Sequence, residues 1–380
     1  MGTIANVKRQ GSNRSIVPVR CLKLGVATVR VGLLIAIAVL CDSVPCFAAE
    51  SGSVTAPAAM GAPRVIWRTF VGKSADTPAA ADAKRIITAS QDGSVSACSP
   101  TDGKPLWTIQ PKSRPSSMPL LTDTAVYLGF ADGLVCALDA ETGKTRWTFQ
   151  TGQQIVGRPA LAGNRLLVGS YDTHLYCLAA DTGKELWNFT TTAQVHAAPL
   201  VVGDIVIIGG CDGHLHAVDL ASGQERWSVD AGGPVGASPI VHDQQIFAAS
   251  MSSTILSTDL AGKLLWSVSP MEERAPVTTS PAISGGRLAV AADDGQVLML
   301  NPADGKVLAS GKVPGKPTTG LVFLNDQLLV GVDDGRIYVI DPTTGKQTSR
   351  ITLGGNPLSI IRIDQGIISN ASDGSVWLLK

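Results

Sequence analysis

Histidine is the residue type in this sequence most able to bind a transition metal, and four of its five copies fall between residues 174 and 216. His174 and His214 lie 40 residues apart, with His196 and His216 nearby. Neighbouring imidazoles can begin a Zn²⁺ or Cu²⁺ site. No helical i, i+4 pair and no carboxylate at fixed spacing accompanies them, so we interpret them as surface turn residues and predict no metal site.

Aspartate offers a second chemistry, because Ca²⁺ takes six to eight oxygen ligands. Asp-Gly pairs recur at Asp92-Gly93, Asp132-Gly133, Asp212-Gly213, Asp294-Gly295, Asp334-Gly335 and Asp373-Gly374, and the gaps hold Asp172-Thr173 and Ser252-Ser253. Turns distributed over eight units cannot converge on one ion. The chain also has no nucleophile elbow, phosphate loop or zincin motif. We therefore predict no catalytic residue, no bound cofactor and no metal.

Two irregularities remain as candidate partner-binding sites. Arg158 occupies a position that other repeats fill with Met118, Ala198, Ser238, Ser280 and Gly320. A cation there could meet a carboxylate or backbone carbonyl of a partner; the alternative is a pair with an acid of a neighbouring repeat. The second irregularity is a longer connection, with 14 residues from Trp266 to Ser280 against 11 from Trp227 to Ser238. It holds Met271, Glu272, Glu273 and Arg274, and the alternative is a merely solvated insertion.

These residues are carried by a repeat of about 40 residues. Tryptophan occurs at Trp67, Trp107, Trp147, Trp187, Trp227 and Trp266. Each unit contains four short apolar runs bounded by turn residues, as in residues 198–230, and such runs indicate strands. The low charged fraction of 16% and the 40 glycines also suit a turn-rich β protein. The pattern predicts an all-β fold, an eight-bladed β-propeller of four-stranded antiparallel blades.

Each part of the repeat has a predicted structural task. Asp-Gly suits a two-residue hairpin with positive φ at both central residues, and Asp139 to Gly143 suits a capped turn. The tryptophans are predicted to fill the space between adjacent blades, the alternative being a stacking platform for a sugar or base. Ala309 and Ser349 occupy the tryptophan position in two later repeats. At these positions the blades are either packed less tightly or packed in a different way.

The two ends of the repeat region supply complementary parts of one blade. Residues 64–70 supply a lone fourth strand, and the C-terminal "DGSVWLLK" stops after a third strand. We predict that the N-terminal strand joins the C-terminal blade, which closes the ring and removes exposed sheet edges. The propeller is thus assigned to residues 64–380, preceded by a short linker at 49–63.

Residues 1–48 have the features of a signal peptide. Six basic side chains and one acid are followed by the apolar run "VGLLIAIAVLC". We predict cleavage after Ala48 and a periplasmic or secreted monomer without a membrane span; an uncleaved N-terminal anchor is the alternative. Removal of this segment leaves five more acidic than basic side chains, which does not favour nucleic acid. Cys98, Cys136, Cys177 and Cys211 remain, as buried thiols or as a disulfide between neighbouring blades.

The repeat resembles a known family. The segments "ADGLVCALDAETGKTRW", "SYDTHLYCLAADTGKELW" and "CDGHLHAVDLASGQERW" are similar to the pyrroloquinoline-quinone-type (PQQ) repeat, whose pattern is A-x-D-G-x-x-x-A-L-D-x-x-T-G-x-x-x-W. The resemblance covers about residues 64–380. It implies the propeller fold, which is shared by quinoprotein dehydrogenases holding PQQ and Ca²⁺ and by the propeller subunit of the bacterial outer-membrane assembly machinery.

The sequence departs from both groups. The enzymes are longer, with insertions over the cofactor and an adjacent cysteine pair that this chain lacks. The assembly subunit resembles a lipoprotein, and Cys41 and Cys46 lack a suitable preceding residue. Because a fold does not carry its function with it, we predict a non-catalytic envelope scaffold for protein–protein interaction, with outer-membrane protein assembly as one role. The alternatives are a PQQ- and Ca²⁺-dependent dehydrogenase and a polysaccharide-binding propeller.

Overall fold

The fold was analysed on a computed structural model, which describes residues 64–271 and 275–380. The described residues form 32 strands in eight four-stranded antiparallel sheets, without a helix. The predicted all-β, eight-bladed propeller is therefore confirmed. None of the described segments is a helix that could cross a membrane. The predicted signal peptide and linker lie outside the described residues.

The strands are numbered in chain order, and each blade runs from an inner first strand to an outer fourth strand. Blades 1 to 4 comprise β2 (Ala80–Ala81), β3 (Ile86–Ala89), β4 (Val95–Cys98), β5 (Pro105–Ile109); β6 (Leu120–Leu121), β7 (Ala125–Gly129), β8 (Leu134–Asp139), β9 (Thr145–Gln150); β10 (Ala160–Ala162), β11 (Arg165–Gly169), β12 (His174–Ala179), β13 (Glu185–Thr190); β14 (Leu200–Val202), β15 (Ile205–Gly209), β16 (His214–Asp219), β17 (Glu225–Asp230).

Blades 5 to 8 comprise β18 (Ile240–His242), β19 (Gln245–Ala249), β20 (Ile255–Asp259), β21 (Leu264–Val268); β22 (Ala282–Ser284), β23 (Arg287–Ala291), β24 (Gln296–Leu300), β25 (Val307–Lys312); β26 (Val322–Leu324), β27 (Gln327–Val332), β28 (Arg336–Ile340), β29 (Gln347–Thr352); β30 (Ile361–Ile363), β31 (Gly366–Asn370), β32 (Ser375–Leu379), β1 (Val65–Phe70).

The ring closes through the eighth blade, as the sequence predicts. Strand β1 pairs antiparallel with β32 and forms the outer strand of that blade. Arg64 N donates to Lys380 O at 2.7 Å, and Lys380 N donates back to Arg64 O at 2.9 Å. The first and the last strand of the propeller, more than 300 residues apart, therefore share one sheet, and β32 is paired on both sides.

The strand directions define two faces. Because antiparallel strands alternate, the hairpins between second and third strands share one face with the connections from a fourth strand to the next first strand. We call this the upper face. First strands of adjacent blades, such as β2 and β6 or β10 and β14, contact one another, so the first strands surround a central channel that opens on the upper face.

The Asp-Gly turns differ from the prediction in their geometry. In blade 2, Phe130 N donates to Leu134 O and Gly133 N donates to Phe130 O, so three residues form the loop. Only Gly133 has a positive φ, of +87°, and Asp132 does not. The aspartate instead accepts a hydrogen bond from Leu134 N at 3.2 Å. The two-residue turn with two positive φ angles was therefore wrong; this is a type I turn followed by a left-handed glycine.

The capped turns join the blades to one another. Asp139 Oδ1 accepts from Thr142 N at 2.9 Å, and Gly143 has a φ of +70°. Trp107, from the preceding blade, lies over this glycine and donates from Nε1 to Ala140 O at 3.1 Å. A Cβ atom on Gly143 would come within 2.7 Å of the indole ring. The same tryptophan–glycine contact recurs at five further joints, Trp67–Gly103, Trp147–Gly183, Trp187–Gly223, Trp227–Gly262 and Trp266–Gly305.

The two positions without tryptophan have different physical reasons. Ser349 faces blade 8, which has no turn between third and fourth strands because the chain ends lie there. Ala309 faces a normal turn, and the backbones themselves come together: a Cβ on Gly345 would lie 2.0 Å from Ser310 O, and one on Gly311 would lie 2.1 Å from Gly345 O. The joint between blades 6 and 7 is therefore packed differently, through close backbone contact.

Candidate functional site

In blades 2 to 7, the residue two positions before the first strand lies at the inner end of the upper connection and forms part of a ring around the channel. These residues are Met118, Arg158, Ala198, Ser238, Ser280 and Gly320. Ala198 N donates to Ser238 Oγ at 3.1 Å, and Ser238 N donates to Ser280 Oγ at 3.2 Å. These bonds link equivalent positions of blades 4, 5 and 6 around the axis. Sequence reasoning compared these positions but missed the links; serine recurring at one repeat position was the available signal.

Arg158 is the one charged member of this ring. Its side chain is exposed to solvent, yet the surrounding protein lowers the pKa of its guanidinium through burial. These two observations fit a side chain that stands in water inside the channel. It makes no hydrogen bond or ion pair with any described residue. The alternative prediction, a pair with an acid of a neighbouring blade, is therefore not met within residues 64–271 and 275–380.

Charged residues at the channel mouth are, in contrast, paired with one another. Lys316 Nζ donates to Asp293 Oδ2 at 2.7 Å, and Thr278 Oγ1 donates to Asp293 Oδ1 at 2.5 Å. Lys316 N also donates to Asp333 Oδ1 at 2.9 Å. On the other side of the ring, Arg114 pairs with Asp76. The mouth is thus polar, and its cations Lys316 and Arg114 are paired with acids.

The longer connection, between β21 and β22, begins with the buried residue Met271. Met271 is 5% exposed and packs in an apolar cluster with Phe247, Val277 and Ala292. Its side chain therefore anchors the connection to the blade core and does not offer a contact surface, contrary to the prediction that it binds a partner. Glu272, Glu273 and Arg274 lie outside the described residues.

The histidines are held by polar side chains of their own blades. His216 Nε2 lies 2.9 Å from Asp212 Oδ2, and its Nδ1 lies 2.6 Å from Glu225 Oε1. Both contacts are hydrogen bonds to ionised carboxylates only when each ring nitrogen carries a hydrogen. His196 Nδ1 lies 2.5 Å from Tyr171 Oη, and burial lowers the pKa of His196. The arrangement orders the turns of blades 3 and 4.

The four cysteines of the propeller are free thiols. Cys98, Cys136 and Cys177 are buried, and burial raises the pKa of Cys98 to about 12 and those of the other two to about 11. Cys211 is exposed instead, on the turn between β15 and β16 at the upper face. The interpretation of all four as buried thiols was therefore wrong for Cys211, because it sits on a turn and not in a strand.

The channel mouth suits the Ca²⁺ and quinone of the related enzymes poorly. Asp293 is already bound to Lys316 and Thr278, and Asp333 is held by a backbone N–H. Turn aspartates such as Asp132 accept hydrogen bonds within their own blades. Within the described ranges, no group of three or more histidine, cysteine, aspartate or glutamate side chains is arranged to hold a metal ion. The donor set therefore does not fit Ca²⁺ or the quinone.

Comparison with known proteins agrees with this geometry. A family model described as outer membrane protein assembly factor BamB matches residues 44–158, 154–220 and 202–321, well over half of the chain. The chain belongs to the BamB family. A search of curated proteins found no match.

Two solved structures show how far the BamB-like architecture extends. The crystal structure of BamB from Moraxella catarrhalis has 22% sequence identity and a TM-score of 0.75, covering 84% of this chain and 98% of that one. The computationally designed Ika8 protein has 22% identity and a TM-score of 0.72, covering 81% and 96%. At this identity both likenesses establish the fold alone.

Proposed function

We propose that this BamB-family propeller is a non-catalytic scaffold of the cell envelope, which binds a protein partner through its upper face during outer-membrane protein assembly. The observation that carries the proposal is the family match along residues 44–321. It is supported by a channel mouth whose acids are already engaged by Lys316, Thr278 and backbone groups. A closed ring of eight sheets provides a scaffold on which loops can recognise a partner.

The upper face is the proposed binding surface because it carries the irregularities of the repeat. The long connection between β21 and β22 opens there, and Arg158 stands in the channel below. The lower face is more regular, since it carries the capped turns that receive the tryptophans. We therefore expect charge changes on the two faces to affect partner binding differently.

The experiment is capture of partners from a solubilised envelope fraction by the tagged protein. One variant reverses charge on the upper connection, with Glu272→Lys, Glu273→Lys and Arg274→Glu. The matched control makes the same net change of charge at exposed lower-face positions, with Glu141→Lys, Lys144→Glu and Glu185→Lys. Captured proteins are identified and quantified by mass spectrometry.

We expect an outer-membrane assembly component to be enriched with the wild-type protein and with the lower-face control, and to be reduced with the upper-face variant. Equal reduction by both variants would place binding elsewhere. Alcohol- or sugar-dependent dye reduction after addition of PQQ and Ca²⁺ to the purified protein would contradict the non-catalytic proposal directly.

A further inference from the structure

The channel holds a cation whose partner the described protein does not supply. Six of the twelve arginines in the described ranges pair with acids, as Arg68 does with Asp373 at 3.1 Å and Arg336 with Asp334 at 2.7 Å. Arg158 has no such contact with a described residue. An unpaired guanidinium inside a protein channel attracts an anion more strongly than one on an open surface, because the lower effective dielectric strengthens charge interactions.

The wall on the opposite side leaves room for a ligand. In a ring of eight blades, Gly320 of blade 7 lies across the axis from Arg158 of blade 3. Gly320 is exposed, and a Cβ atom added to it would meet nothing within 4 Å. A cavity of about 400 Å³ opens along this wall, lined by hydroxyl-bearing residues that include Thr278, Ser280 and Thr318.

Two serines of the channel ring retain hydrogen atoms to donate. Ser238 Oγ accepts from Ala198 N, and Ser280 Oγ accepts from Ser238 N. A serine hydroxyl is both an acceptor and a single donor, and neither hydroxyl donates to a described residue. Blades 5 and 6 therefore carry two hydroxyl groups that can still donate, at the positions equivalent to Arg158 of blade 3.

One guanidinium suits a ligand with one carboxylate. Arg158 is the one charged residue among the equivalent positions that precede the first strands of blades 2 to 7. The mouth aspartates Asp76 and Asp293 are paired with Arg114 and Lys316. A carboxylate matches the planar guanidinium in charge and in shape.

We propose that the central channel binds one carboxylate of the partner protein, with Arg158 as its counter-ion. This inference rests on the proposed function for the source of the carboxylate. The channel chemistry itself can be tested without the partner, so that the two proposals can fail separately.

The first test is protection of Arg158 from phenylglyoxal, followed residue by residue with peptide mass spectrometry. The probes are Ac-Gly-Glu-Gly-NH2 and its glutamine counterpart at 50 mM, and the internal reference is Arg350, which is exposed on outer strand β29. One charge-assisted contact corresponds to a Kd of about 10 mM, so the glutamate peptide should slow modification of Arg158 about sixfold. Arg350 should not change.

No slowing, or equal slowing by the glutamine peptide, would overturn the inference. Protection by micromolar PQQ with Ca²⁺ would assign the channel to a cofactor and would overturn it as well. The second test uses the captured complex: Arg158→Ala should weaken partner binding about 10- to 100-fold, whereas Arg350→Ala should not.

The melting temperature of Arg158→Ala should equal that of the wild type, because the side chain has no described partner to lose. A partner that binds Arg158→Ala as tightly as the wild type would refute the carboxylate site and leave the proposed scaffold function intact. Failure of the wild-type protein to capture any assembly component would refute the proposed function, whatever the protection experiment shows.

Discussion

The contact between Gly183 and Trp147 allows a quantitative test of how the repeat joins its blades. Gly183 has a φ of +72°, and an added Cβ would lie 2.5 Å from Trp147 Cε3. Gly163, in the same blade, has a φ of +58° and open space around the same position. Substitution of each glycine by alanine therefore imposes similar backbone strain, but only Gly183→Ala also forces a large, half-buried ring to move.

The expected losses follow from these two effects. A left-handed backbone costs an alanine about 1–2 kcal/mol, and the stiffer unfolded chain offsets about 0.4–1 kcal/mol of this. Gly163→Ala should thus lower the free energy of unfolding by about 1 kcal/mol. Overpacking adds about 1–3 kcal/mol, so Gly183→Ala should lower it by about 2–4 kcal/mol.

Urea denaturation followed by far-ultraviolet circular dichroism measures both losses, with the slope checked for a common unfolding transition. A double-mutant cycle with Trp147→Ala isolates the contact, because removal of the ring should reduce the effect of Gly183→Ala to that of Gly163→Ala. Equal losses for the two glycine substitutions in the wild-type background would refute the reasoning and leave Gly183 with a turn role alone.

Three further outcomes are expected. Thr173 has a φ of +76°, so Thr173→Gly should stabilise the propeller by up to about 1 kcal/mol. Ser253→Gly should stabilise it less, because this substitution also removes the 2.7 Å hydrogen bond from Ser253 Oγ to Ala275 O. Urea denaturation compares the two variants. The Arg146 side chain and Thr142 hold the pKa of Asp139 below its ordinary value. The ionised Asp139 therefore stabilises the folded protein above the unfolded pKa of about 3.9, and this stabilisation is lost as pH falls through the folded pKa. On acidification, the melting temperature of Asp139→Asn should fall less than that of the wild type. Iodoacetamide at pH 8 should modify Cys211 and spare Cys98, whose pKa is raised to about 12 by burial, as peptide mass mapping would show.

The sequence predicted the architecture well because the repeat encodes local contacts. Tryptophan and the turn glycine occur in each regular unit, and their pairing between blades follows from size and backbone freedom alone. The hairpin geometry was missed because Asp-Gly suits two turn types, and the strand register decides between them. The burial of Met271 and the exposure of Cys211 depend on how one loop folds back, which no repeat pattern specifies.

The irregular positions differ in whether folding explains them. Ser349 replaces tryptophan because blade 8 has no turn to receive the ring, and Ala309 is compensated by the close backbones at Gly311 and Gly345. A fold does not by itself carry a function. Arg158 has no hydrogen bond or ion pair with a described residue. An unpaired charge in a channel costs solvation free energy without stabilising the ring, and for this reason we propose that the partner's carboxylate binds at Arg158.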